Sequence, residues 1–286
     1  MRRLTNRCIR REKAKNMIRD ITNSIRKELK ELHKRKNRDD KRLFFIEGLR
    51  FVKEALYSDA QIKYIVVSES QINNIDKNLL DKVLDVYLAT DKVIKELSAT
   101  DTPQGIIAVL PYLDFVPKKD LSRILILDSL QDPGNMGTII RTADATNIDG
   151  IILSKGCVDI YNPKVLRATM GSIFRIFIMR VEKLEDSIIE LKSNGITVLG
   201  AHLNASKNYF DIDLRENVAI VIGNEANGIS DEVTNSCSEL IKIPMMGKIE
   251  SLNAGVSASV ILYEMLRQNY YNVSTEMSPA SKLEKA

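Results

Sequence analysis

The second half of the chain alternates short apolar runs with amphipathic segments, and this rhythm constrains the fold more than any other feature. Apolar, β-branched-rich runs predict strands at 124–127, 150–153, 175–179, 197–199, 219–222 and 241–243. Between them, helices are predicted at 138–146 and around Leu166, Ile189 and Val233. Strands that alternate with helices at this spacing favour an α/β fold: a mostly parallel sheet with helices on both faces.

Two small-residue loops follow the last two of these strands. The first is Gly223-Asn-Glu-Ala-Asn-Gly228, which by itself is equally typical of a tight turn that binds nothing. In the second, Pro244 stops a strand, and Ser251 or Asn253 then supplies N-cap chemistry for a helix carrying Val256, Val260, Tyr263 and Leu266. Open α/β sheets bind ligands at the carboxyl ends of their strands, so these loops predict a site.

A third loop, 128–137, precedes the helix predicted at 138–146. Asn135 in that loop and Thr138, Arg141 and Thr142 on the helix predict a cation and polar groups facing one crevice. A solvated arginine is the competing interpretation for Arg141, and His202 is interpreted as a loop residue. The chain has no G-x-G-x-x-G, no Walker A motif and no Ser/His/Asp order, so the usual dinucleotide, NTPase and hydrolase chemistries lack their residues.

Basic charge is concentrated at the N-terminal end. Residues 1–53 hold 19 Lys and Arg against 7 Asp and Glu, whereas the remainder holds 23 against 31. The apolar spacing of Ile18, Ile21, Ile25, Leu29 and Leu32 predicts one basic helix over 16–36. Such a block is typical of a surface that binds a polyanion, RNA or DNA ahead of membrane, and a solvated tail is the alternative for residues 1–20.

The length of 286 residues and the hydrophobic fraction of 44% predict two domains. The expected divisions are a basic extension at 1–20, a small α/β unit at 21–112, a linker at 113–120, the second α/β domain at 121–268 and a disordered tail at 269–286. The small unit is predicted to contain a strand that turns at Glu47-Gly48 into a helix, strands at 62–67, 86–88 and 106–110, and a helix at 91–97 capped by Thr90.

Cysteine and histidine usage excludes several classes of protein. Cys8, Cys157 and Cys237 form no C-x-x-C, and His33 and His202 are the only histidines. We therefore expect neither a disulfide scaffold nor a metal site, and a reducing cytoplasm is the predicted compartment. No apolar run has transmembrane length, and the basic N-terminus lacks the apolar segment of a secretory signal. No membrane partner is expected.

Three ordered motifs resemble those of a known family. They are Asn135-x-Gly-x-x-x-Arg-Thr-Ala, Val221-Ile-Gly-Asn-Glu-x-x-Gly228 and Ile243-Pro-Met-x-Gly-x-x-x-Ser-Leu-Asn253. They resemble motifs 1, 2 and 3 of the SpoU/TrmH branch of the SPOUT RNA methyltransferases, over residues 123–268. The segment 44–56 and Thr102-Pro-Gln-Gly105 are similar to the L30e-like RNA-binding domain that precedes the catalytic domain in many rRNA 2′-O-methyltransferases.

The resemblance implies a C-terminal SPOUT domain with a deep trefoil knot, in which S-adenosylmethionine binds between the knot loops. It implies a homodimer through the knot region and methyl transfer to a ribose 2′-hydroxyl of RNA, most readily large-subunit (23S) rRNA. A tRNA substrate is the alternative within the family. From another class, a non-catalytic RNA-binding protein remains possible, and retained cofactor binding would discriminate.

The resemblance also assigns residues. Arg141 is implied to activate the hydroxyl, although a guanidinium keeps its proton at ordinary pH and is better suited to clamping a phosphate. The motifs further imply the following. Polar catalytic positions are Asn135, Glu225, Ser251 and Asn253, and cofactor contacts are Gly223, Ile243, Leu252, Ala201 and Asn253. Independently of the motifs, the basic region predicts contacts to the RNA backbone from Arg26, Lys30, Lys34, Arg35, Lys36, Arg38, Arg42 and Arg50. Ala254-Gly255 departs from the family pattern of a β-branched residue and Ser.

Overall fold

The structure is a computed structural model that describes residues 17–58, 60–116 and 121–276, without the side chains of Met17 and of 271–276. Predictions for 1–16, 117–120 and 277–286 lie outside the described residues. The chain divides into two compact units, Met1–Leu113 and Asp114–Ala286.

The first unit is built on a five-stranded sheet in the order β1-β4-β3-β5-β2. Strands β1, β4 and β3 run parallel, whereas β5 is antiparallel to both β3 and β2. Its elements are β1 Met17–Asp20, α1 Asn23–Glu31, α2 Arg35–Lys41, β2 Leu43–Glu47, α3 Leu49–Tyr57, β3 Tyr64–Ser68, α4 Lys77–Leu80, β4 Asp85–Ala89, α5 Asp91–Leu97 and β5 Ile106–Pro111.

The single basic helix predicted over 16–36 is wrong. Residues Met17–Asp20 extend along the open edge of β4 as β1. Helix α1 starts only after Thr22, whose hydroxyl accepts a hydrogen bond from the amide of Ile25 at 3.3 Å. Leu29 and Leu32 belong to the core, but Ile18 is half exposed. A helical stripe in the sequence cannot reveal the free sheet edge that captures its first residues.

The second unit is built on a seven-stranded sheet in the order β10-β12-β9-β11-β6-β7-β8, in which every neighbouring pair is parallel. This confirms the predicted parallel α/β architecture. Its elements are β6 Arg123–Leu127, α6 Pro133–Ala145, β7 Gly150–Leu153, α7 Pro163–Thr169, β8 Phe177–Arg180, α8 Leu184–Ser193, β9 Thr197–Ala201, β10 Lys207–Asn208, β11 Val218–Ile222, α9 Asp231–Ser236, β12 Glu239–Lys242 and α10 Ala254–Glu276.

Helices cover both faces of this sheet. On one face, Ile124 and Ile126 of β6 join a core cluster with Leu184 and Ile188 of α8 and Val233 of α9. Side chains alternate along a strand, so Leu125 and Leu127 point to the other face. That face carries α6 and the helices α7 and α10, both of which pack on α6. This layer holds the first motif on α6, and the third motif is the loop that leads from β12 into α10.

Two helix boundaries differ from the prediction. Helix α6 begins at Pro133 instead of 138, because the Asp132 carboxylate caps it by accepting a hydrogen bond from the Asn135 amide at 2.7 Å. Pro133 fits the first turn, where a backbone N–H would have no partner within the helix. Asn135 is therefore on the helix and not in the loop before it. Helix α10 continues to Glu276, so the disordered tail predicted to start at 269 is wrong for residues 269–276.

Candidate active site

A cavity of about 380 Å³ opens at the carboxyl ends of β9, β11 and β12. Three chain segments line it: the residues after β9, the Gly-Asn-Glu loop after β11, and the loop that leads from β12 into α10. Among the residues predicted to bind a cofactor, four line this cavity: Ala201, Gly223, Ile243 and Leu252. Glu225 and Ser251 line it as well. The second and third motifs thus converge on one space.

The loop after β11 requires glycine at its first position. A Cβ on Gly223 would lie 2.1 Å from the carbonyl carbon of Gly228 and 2.2 Å from the amide nitrogen of Ile229. Asn224 and Gly228 exchange two backbone hydrogen bonds of 2.8 and 2.9 Å, which close the loop, and Gly228 has a φ of +70°. The polypeptide therefore folds back on itself against Gly223, where no side chain fits.

Two polar side chains fasten this loop to the end of β6. The Asp128 carboxylate, only 5% exposed, accepts from the amide and hydroxyl of Ser230 at 2.9 and 2.7 Å and from the hydroxyl of Ser129 at 3.1 Å. The side-chain amide of Asn224 donates to the carbonyl of Ser129 at 2.8 Å. The ends of neighbouring strands β6 and β11 are joined in this way, which fixes the rim of the cavity.

Asn135 and Glu225 connect the first motif to the second. The Asn135 side chain is buried in the first turn of α6, and its Nδ2 donates to Oε1 of Glu225 at 2.8 Å. Glu225 lines the cavity, whereas Asn135 does not. Asn135 therefore acts on the cavity through the carboxylate that it holds.

Asn253 is the N-cap of α10, one of the two residues predicted for that role. Its Oδ1 accepts from the amide of Val256 at 3.2 Å, and its carbonyl accepts from the amide of Ser257 at 2.9 Å. Asn253 is not among the cavity-lining residues. A Cβ on Gly255 would lie 3.2 Å from Asn253 Oδ1 and 3.3 Å from Asn135 Oδ1. Gly255, the departure from the family pattern, thus leaves room for both amides.

Arg141 lies two turns into α6 with its side chain exposed. Within the described part of the chain it makes no hydrogen bond or ion pair, and it does not line the cavity. The neighbouring Thr142 hydroxyl contacts the Ser259 hydroxyl at 3.1 Å and links α6 to α10. Arg141 is therefore free to bind a group from outside its own chain.

Comparisons with known proteins agree with this arrangement. Residues 122–263 match the model of the SpoU rRNA Methylase family, and residues 23–108 match the MRM3-like substrate binding domain. The 23S rRNA (guanosine(2553)-2′-O)-methyltransferase of Bacillus subtilis is 34% identical over 251 residues, which cover 87% of this chain and 98% of that protein. The chain belongs to the SpoU rRNA methylase family.

A second sequence relative and a solved structure agree with this family. A Staphylococcus aureus protein described as a putative TrmH family tRNA/rRNA methyltransferase is 38% identical over 239 residues, covering 79% of this chain and 96% of its own. An AdoMet-bound rRNA methyltransferase from Sinorhizobium meliloti superposes with a TM-score of 0.77 at 33% identity, over 87% of this chain and 97% of that one. These matches confirm the predicted family and fold class; the trefoil knot stays a prediction.

In the first unit, the predicted RNA contact is wrong for one residue, Arg38. Arg38 is 3% exposed, and its guanidinium donates to the carbonyls of Leu32 at 2.8 Å and His33 at 3.0 Å. Its charge closes the end of α1 and is not available to a ligand. A basic residue within a basic run is assumed to be solvated until a structure shows the carbonyls that it caps.

The remaining predicted RNA contacts are accessible to different degrees. Arg26 and Lys30 share the carboxylate of Glu96 at 3.1 and 3.5 Å, and Arg35 pairs with Asp39 at 3.5 Å. Arg42 stacks over the Tyr112 ring at 4.6 Å, while Lys34, Lys36 and Arg50 are exposed. Four cations of the first unit line an open depression of about 530 Å³: Arg26, Lys27, Lys30 and Lys34. Lys27 was missed by sequence reasoning.

His202 and Asp128 also belong to the site, although the sequence interpretation did not select them. His202 lines the cavity, and its Nδ1 accepts from the amide of Asn204 at 3.2 Å. Asp128 directly follows the buried strand β6, and a polar residue at that position is the signal that could have identified it.

Other features of the described residues are plain. No helix within 17–58, 60–116 and 121–276 is long and apolar enough to cross a bilayer. No group of three or more His, Cys, Asp or Glu side chains in those ranges could hold a metal ion. Cys157 and Cys237 are free thiols, and burial raises the pKa of each, that of Cys237 to about 11.

Proposed function

We propose that this protein transfers the methyl group of S-adenosylmethionine to a ribose 2′-hydroxyl of RNA. The observation that carries the proposal is the convergence of the second and third motifs on one cavity at the carboxyl edge of a parallel sheet, with Asn135 of the first motif bonded to its rim. Ligands of open α/β sheets bind at that edge.

S-adenosylmethionine fits the residues of the cavity. A volume of about 380 Å³ lies in the range of small-molecule sites, which is roughly 300–1,000 Å³. Ala201, Gly223, Ile243 and Leu252 are small or apolar, so their main chains can approach an adenine edge and their side chains can pack on the ring. The bound cofactor supplies an electrophilic methyl group on a sulfonium. The AdoMet-bound Sinorhizobium meliloti protein supports this assignment.

The protein must then orient the hydroxyl and stabilise its developing negative charge. Arg141 suits this role as a cation, since a guanidinium holds its proton at ordinary pH. It would bind the phosphate beside the target ribose and stabilise the negative charge that develops on the 2′-oxygen. As the O–CH3 bond forms, the S–CH3 bond breaks to leave the neutral thioether, and the hydroxyl proton passes to solvent water. Asn135 and Glu225 orient the rim through their 2.8 Å hydrogen bond, and Ser251 and Asn253 place polar groups at the start of α10.

A homodimer supports the same chemistry. Arg141 does not line the cavity of its own chain, so a second copy would bring its Arg141 to that cavity. Helix α10 offers an exposed stripe for the contact, because Val256, Tyr263 and Tyr270 recur seven residues apart and are 47%, 55% and 68% exposed. The trefoil knot implied by the family resemblance belongs to this proposal, since its loops would form the cavity.

Large-subunit rRNA is the proposed acceptor, because the Bacillus subtilis relative is a 23S rRNA 2′-O-methyltransferase. The cationic depression of α1 in the first unit, lined by Arg26, Lys27, Lys30 and Lys34, fits an RNA backbone. A tRNA acceptor is the second candidate, favoured by the tRNA/rRNA description of the Staphylococcus aureus relative. The free thiols of Cys157 and Cys237 suit the cytoplasm, the compartment we propose.

The test combines cofactor binding with methyl transfer. Calorimetry should detect S-adenosylmethionine binding to the purified protein, and labelled cofactor incubated with total RNA should label the large-subunit rRNA fraction. Label in tRNA alone would keep the chemistry and replace the acceptor. Cofactor binding without label in any RNA, including unmodified precursor rRNA, would contradict the proposed activity.

A further inference from the structure

The arginines of the second unit divide into two groups by their partners. Residues 121–276 contain seven arginines. Five of them have an oxygen acceptor: Arg123 and Arg175 pair with Asp149 and Asp144, Arg215 and Arg267 with Asp213 and Glu264, and Arg180 donates to four backbone carbonyls. The side chains of the other two, Arg141 and Arg167, make no hydrogen bond or ion pair with the described residues.

These two arginines lie on helices that touch. A Cβ on Gly137 of α6 would lie 2.2 Å from the Cβ of Ala168 and 2.9 Å from the carbonyl of Val165 on α7, so the two backbones meet there. Arg141 is one turn beyond Gly137 on the same side of α6, and Arg167 adjoins Ala168. The helix contact therefore puts both arginines on the same helix pair, where the Arg141 side chain is exposed and that of Arg167 is half-buried.

A third cation belongs to this surface. Lys164 is one turn before Ala168 on α7, its side chain is exposed, and it too has no partner within the described residues. The inner side of α7 is fixed by the buried residues Val165, Leu166 and Thr169. Because the inner side is fixed, Lys164 and Arg167 are held outward. A helix of seven residues thus presents two unpaired cations beside Arg141.

We propose that Lys164 and Arg167 bind phosphodiester groups of the acceptor RNA strand beside its reacting nucleotide. This inference rests on the proposed function and adds an RNA-contacting surface on the methyltransferase unit, separate from the cations of the first unit. A guanidinium forms paired hydrogen bonds to a phosphate, and an ammonium binds it as a point charge.

The experiment compares Arg167→Gln, Lys164→Gln and the double variant with Lys183→Gln. Lys183 is exposed, precedes α8 on the opposite face of the sheet, and has no partner among the described residues. We expect the double variant to raise KM for RNA roughly tenfold while kcat stays within about twofold. The slope of log affinity against log salt should fall by about 0.7 for each cation removed. The control should match the wild type.

Two further measurements make the result interpretable. Cofactor affinity and the thermal midpoint should be unchanged in every variant, and Arg167→Lys should recover part of the RNA affinity because it restores the charge. Wild-type KM and salt slope in the double variant would overturn the inference. A fall in kcat with unchanged KM would overturn it as well. If the wild type binds RNA but transfers no methyl group, the proposed function fails, and the salt slopes still decide whether these cations contact RNA.

Discussion

The side-chain amide of Asn135 donates to the Glu225 carboxylate at 2.8 Å, and this bond joins residues ninety positions apart in the chain. It connects the first turn of α6 to the loop after β11, so the first and second motifs share one hydrogen bond at the rim of the cavity. Gly255, the departure from the family pattern, lies against both Asn135 and Asn253. All three motifs therefore meet around the start of α10.

We predict that Glu225→Ala will lower kcat for methyl transfer by about 10²-fold, since a small misplacement of a positioning group has costs of that order. The change leaves the buried Asn135 Nδ2 without its acceptor, so the free energy of unfolding should fall by about 1 kcal/mol. Glu232→Ala, an exposed acid on α9, is the matched control. Steady-state kinetics on RNA checks the prediction, and wild-type kcat in Glu225→Ala would contradict it.

Gly223→Ala should abolish cofactor binding, because its Cβ would overlap backbone atoms of Gly228 and Ile229 that no rotamer change can move. The loop would have to open to accommodate the alanine side chain, and because the loop forms one wall of the cavity, that wall would open as well. Lys183→Ala, at an exposed position outside the three motifs, serves as the control. Calorimetric titration with S-adenosylmethionine makes the comparison. Equal affinity of the two variants for S-adenosylmethionine would show that the loop does not form a wall of the cofactor site.

Asp128→Ala should lower the free energy of unfolding by about 3 kcal/mol, because it removes the buried acceptor of three hydrogen bonds and leaves the Ser230 amide without a partner. Cofactor affinity should fall with it, since Asp128 holds the loop that bounds the cavity. Urea unfolding measures the first effect, with Glu190→Ala on the exposed side of α8 as the control. A loss equal to that of the control would refute the role of Asp128.

The two described thiols should resist alkylation at pH 8. Burial raises the pKa of Cys237 to about 11 and raises that of Cys157 as well, so the reactive thiolate is scarce in the folded protein. In a Cys8→Ser background, we expect iodoacetamide to react at least about a hundredfold more slowly than with a free thiol, and to accelerate as the pH approaches 11 or after unfolding in urea. Rapid labelling of Cys237 at pH 8 in the folded protein would contradict this expectation.

Much of the fold could be predicted because the determining signals are local. Thr90 was predicted to cap a helix over 91–97, and α5 spans those residues with the Thr90 hydroxyl accepting from the amide of Val93 at 3.4 Å. The apolar runs of the second half became strands of the parallel sheet. The predictions that were wrong depend on residues distant in the sequence. Strand β1 forms because β4 has a free edge, and the Arg38 side chain is buried because carbonyls at the end of α1 accept its hydrogen bonds.

The candidate site shows the same division. Motif residues such as Gly223 and Glu225 could be placed at the cavity from their position after a strand. The sequence did not reveal that Asp128 fastens the loop, that Arg141 does not line the cavity of its own chain, or that the Arg167 side chain lacks an acceptor. Each of these facts is a relation between residues of different elements, and periodicity within one element carries no information about it.

The most direct test of the central claim is alkaline hydrolysis of RNA labelled by the wild type and by Arg141→Ala. Alkaline cleavage needs a free 2′-hydroxyl, so a ribose-methylated nucleotide survives within a dinucleotide. We predict that the wild type leaves its label in an alkali-stable dinucleotide from large-subunit rRNA, and that Arg141→Ala, which retains cofactor binding, leaves almost none. Label released in mononucleotides would show base methylation, and wild-type turnover by Arg141→Ala would remove Arg141 from the active site; either result would contradict the account.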